Sequence, residues 1–197
     1  MLFFTNDWMY FESTWIKEIK PQEVIGIDLS ASELGKTGFA FLDGEVELGI
    51  VRKDDEILEL CKGFKLILID APLSLPIGNS GLRECDRMLN KLGIRFFPIN
   101  FGGMKKLTQR GIFIKNILET QGKLVFEVYP GALYDNFKIP RKDKKAIAEF
   151  FSSRGLRLKR EAKFQDELDA VACFYIGIRL LEGSANILEG RDGVLIF

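Results

Sequence analysis

Five carboxylates in this chain stand where an acid is costly unless something uses it. Asp28 ends the apolar run "EVIGIDL", and Asp70 ends "KLILID" just before Pro72 forbids further ladder pairing. Asp166 and Asp169 are three residues apart in "DELDAVACF", so a helix carries both on one face. Glu127 interrupts "KLVFEVY" among apolar neighbours. Acids gathered out of water repel one another, and protons or cations must compensate them. Oxygen-only ligands suit Mg²⁺ or Mn²⁺. Two such ions about 4 Å apart clamp the attacking and leaving oxygens of a phosphoryl displacement.

Four of the five acids also have a plainer explanation. An Asp at a strand end starts turns. Asp166, near a helix N-terminus, complements the helix dipole. A mid-strand Glu can face solvent. Only Asp169, one turn deeper in its helix, has no such account.

The rest of the composition narrows the chemistry. The 197 residues contain no histidine, which excludes Ser-His-Asp and Cys-His nucleophile systems and His-ligated zinc. Proton transfer then falls to carboxylates, Lys, Tyr or water held by a metal. Cys61, Cys85 and Cys173 are scattered without a CxxC pair, which implies reduced thiols and a cytoplasmic address. An apolar content of 47% and only six Pro indicate a folded globule. Formal net charge is zero, but Met104–Lys163 carries 15 basic residues against 6 acidic ones. A basic third beside an acidic remainder fits either a phosphate-bearing partner or a solvated helical surface.

The acids need elements to hold them. Glu23–Leu29 reads as a first strand; Thr37–Leu42 and Glu45–Val51 form a hairpin through Asp43-Gly44. Lys53–Lys62 has helical spacing, and Lys65–Asp70 is a fourth strand. Strands one and four are apolar on both faces, as central strands covered on both sides must be. Helices over Ser80–Leu92 and Met104–Thr120, joined by the aromatic "GIRFFPINFGG", make an insertion at about 78–122 before a fifth strand, Lys123–Tyr129. Helices follow near Gly131–Phe137, Arg141–Arg154 and Phe164–Glu182, and Gly193–Phe197 ends the chain in a strand-like tail. The expected architecture is α/β: a mixed five-stranded sheet, hairpin first, flanked by helices, in one domain over 23–197.

Period two places Asp28 on the face of Gly26 and Val24, and Asp70 on the face of Leu68 and Leu66. If these strands are parallel neighbours, both acids emerge at the carboxyl edge of the sheet, where α/β ligand sites form. Below Asp166 and Asp169 lie Ala170, Cys173 and Gly177, whose small size lets that helix approach the sheet closely. At the other end of the chain, Phe4, Trp8, Phe11 and Trp15 give residues 1–22 one aromatic helical face. It would dock on the domain, with a homodimer contact or a membrane-surface anchor as alternatives. No segment approaches the ~20 apolar residues of a membrane span.

These residues, in this order, resemble the RNase H-like superfamily. Its core is a hairpin-first mixed sheet with acids on strand one, after strand four and on the final helix. "GIDLS", "LILIDAPLSLP" and "DELDAVAC" occupy those places. The final helix is similar to that of RuvC-type nucleases, in which an Asp followed by Ala is a metal ligand. The residue three before it, often His, assists the water; here Asp166 stands in that place. The chain also resembles an uncharacterised family of predicted nucleases with this fold, through "GIDLSASELGKTGFAFLDG", "IDAPLSLP", "RECDR", "EVYPGA" and "DELDAVACFYIG". The resemblance implies a divalent-metal nuclease with Asp28, Asp70 and Asp169 as metal ligands and Asp166 and Glu127 as auxiliary acids.

On that reading Lys105, Lys106, Arg110, Arg141 and Lys142 approach phosphates. Phe96, Phe97 and Phe101 stack on unpaired bases or pack as a lid. Arg83 and Asp86 border the site or form a surface ion pair. Two other readings stay open. "GIDLSASELGKTGFAF" resembles the first phosphate loop of sugar kinases and actin-like ATPases, which implies a nucleotide-binding phosphotransferase. A non-catalytic binding module could keep the acids for folding or for one structural cation.

Overall fold

The computed structural model describes Ile16 and residues 18–78 and 81–197. The four aromatic positions of the expected N-terminal helix lie outside them, and with them the expected dimer contact.

The strands are β1 (Val24–Asp28), β2 (Thr37–Asp43), β3 (Glu45–Val51), β4 (Leu66–Asp70), β5 (Leu124–Val128), β6 (Ile187–Gly190) and β7 (Gly193–Ile196). The helices are α1 (Asp54–Cys61), α2 (Glu84–Lys91), α3 (Met104–Thr120), α4 (Pro130–Asn136), α5 (Lys144–Ser153) and α6 (Gln165–Leu181). One mixed sheet has the order β3-β2-β1-β4-β5-β7-β6. β1 runs antiparallel to β2 and parallel to β4, in a register that pairs Asp28 with Asp70. The expected hairpin-first mixed sheet is present, but it has seven strands where five were read. β6 and β7 are four residues each, too short to show alternation. Asp192, in their turn, accepts hydrogen bonds from the Glu84 N–H at 2.8 Å and the Ile77 N–H at 3.2 Å, tying the hairpin to α2.

Two helix starts differ from the sequence reading. α2 begins at Glu84, because the Asp86 carboxylate accepts the Arg83 N–H at 2.9 Å and closes its first turn. α5 begins at Lys144, where the Asp143 side chain caps the N–H groups of Lys145 and Ala146.

The sheet separates two apolar cores. Ile25, Ile27, Ile67, Ile69 and Val125 pack with Ile57, Cys61, Ile114 and Leu118 of α1 and α3. Val24, Leu66, Leu68 and Phe126 pack on the opposite face with Leu168, Ala170, Cys173 and Phe174 of α6. Contact between α6 and the sheet is unusually close. A Cβ on Gly26 would lie 2.2 Å from the Phe174 nitrogen and 2.3 Å from the Ala170 oxygen; one on Gly38 would lie 2.0 Å from the Asp166 oxygen. Gly177 in turn leaves room for Leu68 and Val24. The small-residue face of α6 therefore lies backbone-to-backbone on β1 and β2.

Gly26→Ala is expected to destabilise by at least the ~1–3 kcal/mol of an overpacked core, because both obstacles are main chain. Gly63→Ala, with open space around the new methyl, is expected to stay within about 0.5 kcal/mol of wild type. Urea denaturation of both variants checks the contrast.

Candidate active site

Asp28 and Asp70 end adjacent parallel strands in matched register, so their Cα atoms stand about one strand spacing apart, ~4.8 Å. Both side chains leave the sheet on the α6 side, with Gly26 and Leu68 beneath them. Asp169 approaches from α6. Its Oδ1 accepts hydrogen bonds from the Tyr134 hydroxyl at 2.7 Å and from Gln165 Nε2 at 2.9 Å. Asp166 stands one turn nearer the helix start, half-buried, with its carbonyl against Gly38. The position of that first turn is fixed by Glu167, whose buried carboxylate accepts the Phe164 N–H at 3.0 Å and pairs with Arg160.

Burial raises the carboxyls of Asp28, Asp70, Asp169 and Glu127, and of these four only Glu127 holds an ion pair among the described residues. Among the described residues, no hydrogen bond or ion pair reaches the carboxylate of Asp28 or Asp70, and Asp169 Oδ2 is equally free. Burial, then the charges of Asp70, Asp169 and Asp166, pushes the Asp28 carboxyl well above the usual range. Burial, then Asp169 and Glu127, does the same to Asp70, against a weaker pull from Arg141. Burial lifts Asp169 to about 6, opposed by the hydrogen bonds from Tyr134 and Gln165. The Tyr134 hydroxyl is itself pushed up by burial and by Asp169, so it remains a donor. Arg141 is the nearby cation, yet its guanidinium is occupied: Asp135 accepts at 2.9 and 2.6 Å, the Tyr129 hydroxyl at 2.9 Å and the Arg95 carbonyl at 3.0 Å.

Among the described residues, no three His, Cys, Asp or Glu side chains are already closed around a point that could hold a metal ion. As a donor set Asp28, Asp70 and Asp169 are nonetheless three oxygen acids with unused lone pairs and no counter-charge of their own. That chemistry fits an oxygen-preferring dication.

Glu127 is placed otherwise. It pairs in register with Ile69, not Asp70, so its side chain leaves the sheet on the α3 side. Arg83 grips both its oxygens at 2.5 and 2.6 Å, and the Leu73 N–H donates to it at 2.8 Å. Arg83 also holds Asp86 through two nitrogens, at 2.9 and 3.2 Å, and Ser74 at 3.0 Å. With Arg83 only 1% exposed, this is a buried structural network, neither a surface ion pair nor a phosphate contact. Arg110, expected to approach phosphates, is likewise buried, and it saturates on Asp54, Ser30 and the Arg52 carbonyl at 2.7–2.9 Å. It anchors the β1–β2 loop, where the Ser30 and Thr37 hydroxyls bond each other at 3.1 Å. The Ser30 and Thr37 hydroxyls of the phosphate-loop-like stretch are thus engaged internally.

Lys105, Lys106 and Lys142 are exposed, and among the described residues nothing ties them down. Phe96 and Phe97 line a cleft of about 190 Å³ together with Asp28 and Asp70. Tyr134 and Gln165 were missed by sequence reasoning. Gln165 was legible as the residue one turn before Asp169 on the same helix face. Tyr134 carried no local signal, because only the packing of α4 against α6 brings it to Asp169.

A family model described as "Protein of unknown function (DUF429)" matches residues 26–192, and the chain belongs to that family. No curated protein matches the sequence. A solved structure of RuvC from Thermus thermophilus superposes with a TM-score of 0.50 at 14% identity, covering 82% of this chain and 96% of that one. The fold is RuvC/RNase H-like.

Raised carboxyl values make the metal-free protein lose stability as pH rises. The contribution is complete below the unfolded value near 4 and fades as each folded value is passed, at about 6 for Asp169 and well above the usual carboxylate range for Asp28 and Asp70. Glu167 and Asp135, whose values are lowered, act in the opposite sense. A difference curve therefore isolates the cluster. In EDTA at about pH 8, Asp70→Asn is expected to melt above wild type by about 2 °C or more, with the gain gone near pH 4. A destabilised Asp70→Asn at pH 8 would mean that the acids do not crowd one another. Arg83→Met, which strands Glu127 and Asp86, is expected to cost about 3–5 kcal/mol, whereas Lys105→Met is near neutral; chemical denaturation separates the two roles.

Proposed function

We propose that the chain is a divalent-metal-dependent nuclease with Asp28, Asp70 and Asp169 as ligands for Mg²⁺ or Mn²⁺. The observation that carries the reading is three buried carboxylates, two on paired strand ends of a RuvC-like sheet and one on the helix above them, near enough to act on one another electrostatically and with no ion pair among the described residues. When bound, the metal would supply charge neutralisation at the phosphate and lower the pKa of an attacking water.

The chain's own groups do the rest. Tyr134 and Gln165 hold Asp169 by one oxygen and leave the other without a partner among the described residues. Asp166, half-open to solvent beside Asp169, is placed to take a proton from water entering the site. Lys105, Lys106 and Lys142 have unengaged ammonium groups suited to a polyanionic backbone. Arg141 keeps the acid edge from accumulating more negative charge, while Arg83 and Glu127 fix the floor of the cleft.

The test is cleavage of labelled single-stranded, duplex, hybrid and branched nucleic acids with Mn²⁺ or Mg²⁺. Cleavage should vanish in EDTA and fall at least ~100-fold in Asp70→Asn. Mn²⁺ should raise the Tm of wild type and leave that of Asp70→Asn unchanged. Unaltered cleavage by Asp70→Asn would defeat the proposal, and strong stabilisation by ATP would favour a phosphotransferase instead.

A further inference from the structure

The loop between α2 and α3 holds two phenylalanines out in water. Phe97 is 66% exposed and Phe101 61%, and their rings lie stacked with centroids 5.8 Å apart and planes 12° from parallel. Each exposed ring keeps apolar area in solvent, and a bend of loop without a core to serve does not require it. Phe97 also borders two adjoining recesses. One is the acid cleft with Asp28 and Asp70. The other, about 580 Å³, is lined by Arg95, Tyr129 and Arg141 together with Phe96 and Phe97. From Lys91 to Lys106 the sequence carries four cationic residues and no acid. Lys91, Arg95, Lys105 and Lys106 are all exposed.

We infer that this aromatic pair is a stacking platform for unpaired bases, and that the substrate class is single-stranded or locally opened nucleic acid. The inference deepens the nuclease reading above and rests on it for the word substrate. Two flat faces in series match the π faces of bases, which a closed duplex keeps hidden between base pairs. The surrounding cations match the phosphate backbone, and this segment adds no acid of its own to repel it. A strand stacked on Phe97 would pass its backbone along the rim that Phe97 shares with Asp28 and Asp70.

The experiment measures binding in EDTA, where no cleavage confuses it. Labelled dT and rU strands of about 20 nucleotides and a duplex of equal length are titrated by anisotropy, and a strand carrying 2-aminopurine reports stacking as quenching. Single strands should bind at least ~10-fold more tightly than duplex, and the difference between the dT and rU arms tells DNA from RNA. Phe97→Ala/Phe101→Ala should lose ~10-fold or more of strand affinity and all of the quenching, with Tm unchanged. Phe113→Ala, an exposed aromatic bordering neither recess, should do neither. Undiminished strand binding by the double variant, equal affinity for duplex, or loss of self-association in place of strand binding would each overturn the platform. The two proposals fail separately. Strand binding without cleavage in Mn²⁺ sinks the nuclease and spares the platform; cleavage with unchanged binding by the double variant does the reverse.

Discussion

Asp169 comes within electrostatic reach of Asp28 and Asp70 because α6 lies directly on the sheet's main chain. Ordinary helix-on-sheet packing keeps side chains between the two layers. Here Gly26 and Gly38 remove them, so that the Ala170 and Asp166 carbonyls sit where a Cβ would otherwise be. Asp is a short side chain. From a helix held off by a layer of leucines, Asp169 would not feel Asp28 and Asp70 as strongly as it does. The glycines on the sheet and the small residues on the helix are therefore one device, and the raised carboxyl values at the strand ends are its electrostatic outcome.

The acids fall into two populations. Glu127, Asp86, Glu167 and Asp135 each hold an arginine. They order loops and helix starts around the site, Glu127 and Asp86 by sharing Arg83. Asp28, Asp70 and Asp169 hold no cation of their own. A buried charge left without a partner costs several kcal/mol, so folding alone gives no reason to keep three of them together. That asymmetry separates machinery from scaffold more clearly than position in the fold, since Glu127 and Asp70 stand on neighbouring strands.

Much of this was legible in the sequence. Unbroken apolar runs before Asp28 and Asp70 gave central strands, and Asp43-Gly44 gave the hairpin. The three-residue spacing of Asp166 and Asp169 above Ala170, Cys173 and Gly177 gave the helix face that meets the sheet. What escaped depended on register and on partners distant in the chain. Pairing Glu127 with Ile69 turns it to the far face, and no local pattern reports which residue of a neighbouring strand stands opposite. Arg83 and Arg110 looked like surface cations because composition does not reveal that Glu127 or Asp54 waits for them. The β6–β7 hairpin was half visible in its Gly-Arg-Asp-Gly turn, but strands of four residues carry too little periodicity to be read.

The order of the strands also bears on how the protein is made. β1 leaves the ribosome among the first elements, yet the helix that covers it is α6, and more than two thirds of the chain separates Asp28 from Asp169. At ~5–20 residues per second, synthesis leaves β1 and β4 waiting roughly 5–30 s for that cover. Such long-range closure is slow, and it exposes apolar strands in the interval. The nascent chain accordingly carries no assembled acid centre until its last helix emerges.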